Sequence, residues 1–152
     1  MKIIRHLLIF AILSLSLTAA VTAQREEGGP SQSELASKTA KFGSVAATDD
    51  AYKNAIGAKD LKLAASMVGK GGAFKGSVAK VFTPKSGAVV ILNFDRDYKS
   101  ALTAVVKRAF FGKFPDLSKL DGKSVMITGK FVDFHGATEI DLSDPSQIKV
   151  IE

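Results

Sequence analysis

A small closed barrel, all-β in class, is predicted by three stretches of this chain. Val90-Ile-Leu-Asn-Phe-Asp-Arg-Asp-Tyr98 is an apolar strand that runs into a polar tight turn. Ala101-Leu-Thr-Ala-Val-Val-Lys-Arg108 re-enters as a second, alternating strand. Val125-Met-Ile-Thr-Gly-Lys-Phe-Val-Asp-Phe134 repeats the pattern after a link punctuated by Pro, Asp and Gly. Successive side chains of a strand point to opposite faces, so a period of two marks a sheet with one face against a core.

The elements follow in order. Lys2, Arg5 and His6 precede an apolar run from Leu7 to Leu17, and Val21-Thr-Ala23 before Gln24 fits a small-x-small cleavage site. Residues 1–23 are therefore expected to be an export signal, too short in its apolar part to span a bilayer, which takes about 20 apolar residues. The protein is expected to be exported, periplasmic or extracellular. The remaining 129 residues suit one domain. Residues 24–59 open with the turn-forming run Gln24-Arg-Glu-Glu-Gly-Gly-Pro-Ser-Gln-Ser33, then turn rich in Ala, Ser, Thr, Lys and Gly, with Phe42, Val45, Tyr52 and Ile56 scattered among them. Such a segment buries too little apolar surface on its own to offset the entropy of ordering it, and a flexible tether is expected.

The domain is expected to span residues 60–152. Asp60 is a helix N-cap, Leu61, Ala64, Ala65 and Val68 make one apolar stripe, and Gly69 is a stop. A first strand runs loosely from Phe74 to Phe82, and Pro84-Lys-Ser-Gly87 turns the chain. The second, Ala88 to Phe94, is so apolar that burial on both faces is expected. In the third, Leu102, Ala104 and Val106 alternate with Thr103, Val105 and Lys107. A short helical link near Asp116 leads to the fourth strand, in which Gly129 permits a bulge or bend. His135-Gly136 turns the chain into a fifth, interrupted by Asp144-Pro-Ser146 before Ile148 and Val150. Strand, strand, strand, helical link, strand, strand is the order of the five-stranded OB-fold, a Greek-key barrel whose second and third strands carry the usual binding face. A small open sandwich is the competing all-β reading.

The residues also carry a family likeness. Val68-Gly-Lys70, Leu92-Asn-Phe94, Tyr98, Leu102-Thr-Ala-Val-Val106, Phe114-Pro-Asp116, Val125-x-Ile-Thr-Gly129 and Asp144-Pro-Ser-Gln-Ile148 resemble a bacterial exported OB-fold domain. That domain is similar to the one attached to secreted thermonuclease-type nucleases. The likeness covers about residues 60 to 151 and implies a nucleic-acid-binding role by analogy of fold. This chain departs from it in having Asp95 where Gly is usual and Leu102 where an aromatic is common.

Composition narrows the chemistry. There is no Cys, and His135 is the only histidine after residue 23, which removes Cys/His zinc sites and Ser-His-Asp triads. A nuclease of the thermonuclease type needs clustered carboxylates and two arginines at the phosphate. Beyond the leader the only arginines are Arg25, in the tether, with Arg96 and Arg108, and the five glutamates Glu26, Glu27, Glu34, Glu139 and Glu152 sit in no such motif. No enzyme activity, metal or cofactor is expected. Residues 66–135 hold twelve Lys and Arg against five Asp, whereas residues 136–152 hold one Lys against four acids. A basic middle favours an anionic partner, with ordinary solubility charge as the bland alternative. Single-stranded nucleic acid or another polyanion is the expected ligand of a monomeric protein, and an envelope protein the alternative partner. Tyr98 is expected to stack on a base, Lys99, Lys107, Arg108 and Lys130 to contact phosphates, and Asn93 and Thr103 to orient the ligand by hydrogen bonding. The other aromatics are mostly Phe at strand spacing, the usual filling of a barrel.

Overall fold

The computed structural model describes residues 29–152. The expected export signal and residues 24–28 of the expected tether lie outside the described residues. α1 (Gln32–Leu35) begins with a capping box: Ser31 Oγ accepts from Glu34 N, and Glu34 Oε2 accepts from Ser31 N at 2.7 Å. Then come β1 (Gly43–Val45), α2 (Asp50–Asn54) and β2 (Ile56–Gly57). α3 (Leu61–Ser66) starts where the Asp60 carboxylate accepts from Leu63 N at 3.2 Å, and the chain leaves it through Gly69 at φ 86°, a backbone region that glycine enters without steric cost.

The remaining strands are β3 (Gly71–Ser77), β4 (Lys80–Phe82), β5 (Val89–Asn93), β6 (Thr103–Lys107), β7 (Ser124–Phe134), β8 (Ala137–Leu142) and β9 (Ile148–Ile151). The link between β6 and β7 is two 3-10 turns, Arg108–Lys113 and Leu117–Leu120. β4, β5 and β6 pair antiparallel in sequence order, β6 runs parallel to β8, and β7 is antiparallel to both β8 and β3. Only Val78 and Ala79 separate β3 from β4. The ladders therefore curl the mixed sheet back upon itself.

The alternation read in the sequence sets which face is inside. Val90 and Leu92 of β5, Ala104 and Val106 of β6 and Ile140 and Leu142 of β8 all point into one core, where Phe74, Phe111, Phe114 and Phe131 supply the bulk. Phe74 meets Phe94 edge-on at 4.9 Å between centroids. β5 departs from expectation on its outer face, where Val89, Ile91 and Asn93 are half-buried and not enclosed.

β7 changes partners along its length: Val125–Ile127 pairs with β9 and Phe131–Phe134 with β8. In the interval the Gln147 side chain replaces a strand. Its Nε2 donates to Thr128 O at 3.1 Å, and its Oε1 accepts from Ser143 N at 2.8 Å and Asp144 N at 3.0 Å. Gly129 makes this possible, since a Cβ there would stand 2.6 Å from Ile140 Cγ2 and 3.0 Å from Gln147 Nε2. The β7–β8 hairpin closes through His135 (φ 53°) and Gly136 (φ 84°), the two left-handed residues of a type I′ turn.

Two expectations are corrected. Nine strands form where five were expected: the first is broken at Val78–Ala79, the last at Asp144–Gln147, and two come from the N-terminal segment. That segment, residues 29–59, does not hang free as a tether. β1 extends β9 in parallel and β2 extends β3 in parallel. Gln32 is buried, its Nε2 donating to Pro115 O at 3.0 Å and its Oε1 accepting from Leu117 N at 2.9 Å. Val45 and Ala55 close with Met126 into a second small cluster, with Tyr52 and Ile151 against it. The segment has no separate core of its own: Ala58 enters the main core, with Phe42 and Ile56 against it, and Val45 and Ala55 join the smaller cluster.

Candidate functional site

The outer face of the curled sheet holds a cleft of about 730 Å³. Its floor is built by the outward residues of three neighbouring strands: Ile91 and Asn93 of β5, Thr103 of β6, and Ala137 and Glu139 of β8. Leu61 and Ala65 of α3 form one wall. The rim is aromatic. Phe82, Tyr98 and Phe134 are 42%, 61% and 56% exposed, and the His135 ring leans edge-on against Phe134 at 4.5 Å.

Tyr98 and Lys99 reach the rim because the β5–β6 turn is tied by its own carboxylates. Asp95 accepts from Asp97 N at 3.0 Å, while Asp97 accepts from Lys99 N at 3.1 Å and from the Ser100 hydroxyl at 2.9 Å. Lys59 holds Asp95 at 2.7 Å and draws its carboxyl below the usual range, chiefly through that hydrogen bond. Lys99 Nζ lies 5.7 Å from the Tyr98 ring, a cation–π contact that leaves both groups facing outward.

Of the residues singled out in the sequence, Asn93, Tyr98, Lys99 and Thr103 come together in the cleft. Lys107, Arg108 and Lys130 do not line it. Lys107 lies four residues along β6 from Thr103, roughly 13 Å away at strand rise, and its Nζ donates to Asp141 at 2.7 Å. That bond, with the attraction of the same carboxylate, raises the Lys107 pKa. Arg108 turns away and donates to Gly87 O at 3.1 Å. Lys130 is exposed opposite Gly71, where β7 pairs with β3.

Phe82, Phe134 and Glu139 are the functional candidates that sequence reasoning missed. Phe134 had a signal: it is three residues beyond Phe131, so in one strand the two must face opposite ways. Phe82 had a misleading one. It is an even number of residues from Phe74, which places it inside in an unbroken strand, but the break at Val78–Ala79 reverses the parity. Val81 then packs inward opposite Leu92, and Phe82 lies outside opposite Ile91.

Glu139 is the unusual group. It is half-buried at the floor, where Thr103 Oγ1 donates to its Oε2 at 3.4 Å. Burial and then the neighbouring Asp141 push its pKa up, against smaller opposing effects of Thr103 and Lys107. A raised native pKa means that the folded state holds this proton more tightly than the unfolded chain does. The resulting stabilisation is complete below the ordinary value of 4.5 and is lost as pH rises through the elevated native value. Glu139→Gln is therefore expected to gain in melting temperature relative to the unmodified protein as pH rises from below 4.5 to neutral. The lowered carboxyls of Glu34, Asp95 and Asp144 are common to both proteins and cancel. Parallel thermal melts across that range test this, and a difference that does not change with pH would refute it.

Among the described residues, no group of three or more His, Asp or Glu is placed to hold a metal ion, and no helix is long and apolar enough to cross a membrane. No family model matches this chain, and no curated protein or solved structure is significantly similar to it.

Proposed function

We propose that this protein is an exported, non-enzymatic OB-type barrel that binds single-stranded nucleic acid in the outer cleft. The pairing order supports the fold assignment. Taking β3 and β4 as one bent first strand, the sequence of neighbours is first, second, third, fifth, fourth and back to the first, with the third and fifth parallel. Strands two and three of such a barrel present the ligand face, flanked by the loops joining strands one to two and four to five. Here those strands are β5 and β6, and Phe82 and Phe134 stand at the starts of those two loops.

One observation carries the ligand assignment: three exposed aromatic rings border a single concave floor of amide, hydroxyl and aliphatic groups with one carboxyl, that of Glu139. Every base has a face that stacks on such rings, whatever the sequence. The charge is more modest than the sequence implied. Lys99 lines the cleft and Lys80 stands 5.9 Å from the Phe82 ring, whereas Lys107 and Arg108 are already engaged. About two phosphates are then neutralised, so log K is expected to fall with log salt at a slope near −1.4. Affinity for oligothymidylate should rise with length to about four nucleotides and then level off. Fluorescence anisotropy over a length series at several salt concentrations tests both. Absence of binding at low salt, or equal affinity for double-stranded DNA, would overturn the assignment.

The apolar wall favours a second reading, an envelope adaptor that seats an apolar segment of another protein against Leu61, Ala65 and Ile91. That reading expects no dependence on oligonucleotide length.

A further inference from the structure

We propose that Glu139 makes the cleft a reader of ring edges bearing two adjacent N–H donors, which among the nucleobases means guanine. The inference rests on the single-strand reading above and adds a base preference to it.

Glu139 stands on β8 opposite Thr103 of β6 on one side and Val132 of β7 on the other. It thus shares one cleft with the rim aromatics, with Phe134 on the adjoining strand opposite Ala137, so that a ring stacked on Tyr98 or Phe134 would turn an edge toward the floor that Glu139 helps to form. An ionised carboxylate has about four acceptor positions. The Thr103 hydroxyl occupies one, at the long distance of 3.4 Å, and no hydrogen bond to Oε1 forms among the described residues. Lys107, a cation whose charge acts on Glu139, is committed to Asp141 at 2.7 Å, and no Lys or Arg among the described residues forms an ion pair with Glu139. A half-buried carboxyl without a close cation is a costly thing to keep on a sheet surface, since a charge removed from water requires compensation. Its elevated proton affinity reflects that burden. A ligand that donates N–H groups would relieve it.

The bases differ in how well they can do so. Guanine offers N1–H and N2–H side by side, matching both oxygens of one carboxylate. Cytosine and adenine each place a single amino group beside a ring nitrogen that accepts. Thymine and uracil place one N–H between two carbonyls, which repel the second carboxylate oxygen. Guanine should bind best and thymine worst.

The experiment compares a thymidine hexamer with the same hexamer carrying one central deoxyguanosine, a probe that cannot form a quadruplex alone. Titrated into the purified protein, the guanine-containing hexamer is expected to bind about tenfold more tightly, in the range of a good two-bond base contact. In Glu139→Gln, which keeps the shape and can still accept from Thr103, the preference should shrink to about twofold or less. The variant should also hold the thymidine hexamer more tightly, because a charge opposing the phosphates has gone. Equal binding of both hexamers by the unmodified protein would overturn the Glu139 assignment and leave the single-strand reading standing. So would a preference that survives in the variant. Failure of the protein to bind either hexamer would overturn both.

Discussion

Phe74→Ala is expected to cost about 3–5 kcal/mol of folding stability, the usual loss for a large aromatic removed from a packed interior. Phe74 is fully buried on the inner face of β3, with Phe94 edge-on at 4.9 Å and Phe131 at 6.4 Å. Removing the ring discards its own burial and also its aromatic contacts, worth about 0.5–1.5 kcal/mol each beyond area. The surrounding sheet can collapse only slightly, because β3 is held by β7 over seven residue pairs, from Gly71 opposite Lys130 to Ser77 opposite Ser124. Against a total stability of about 5–15 kcal/mol for a domain of this kind, the variant should be marginal. Urea unfolding measures it: the midpoint should fall while the slope holds. Phe134→Ala is the matched control, since that ring is 56% exposed and its loss should shift stability by about 0.5 kcal/mol or less. Similar losses from the two substitutions would mean that the inner and outer faces had been assigned wrongly.

The strands of the barrel could be read from the sequence because their signal is local. Thr103 and Lys107 alternate with Ala104 and Val106, and Gly136 supplies one of the two positive-φ positions that a type I′ hairpin turn needs, so both survive in the structure. What could not be read depends on partners far away in the chain. Gln32 looks like a solvated residue in a polar stretch, yet its amide is matched to backbone groups at residues 115 and 117. Tyr52 and Ile56 form no apolar face together, and each packs singly against a sheet made elsewhere. The charges follow the same rule. Lys107 is a free cation in the sequence, and only the parallel pairing of β6 with β8 sets it against Asp141, 34 residues later. Tyr98 and Lys99 were legible because they occupy a turn, where exposure is the default. Glu139 was not, because the residues of α3 and β6 that share its cleft lie far from it in the chain.

Removing two of the rim rings, Tyr98→Ala with Phe134→Ala, is expected to lower affinity for a single-stranded oligonucleotide by about 2–6 kcal/mol, each stacked base being worth about 1–3 kcal/mol. Even the lower figure is about a thirtyfold loss. The substitutions should leave folding nearly untouched, for both rings are more than half exposed and neither belongs to the buried core. That separation gives the measurement its force, since weaker binding at an unchanged melting temperature cannot be ascribed to a damaged fold. Lys107→Ala supplies the opposite control. Its ammonium is held by Asp141, so its loss should change the salt slope by much less than the 0.7 expected per phosphate contacted. If instead Lys107→Ala abolishes binding and the double aromatic variant retains it, the ligand lies along the charged end of β6 and not in the aromatic-rimmed cleft. Stacking would then have no part in recognition, and a polyanion held by charge alone would replace the single strand as the ligand.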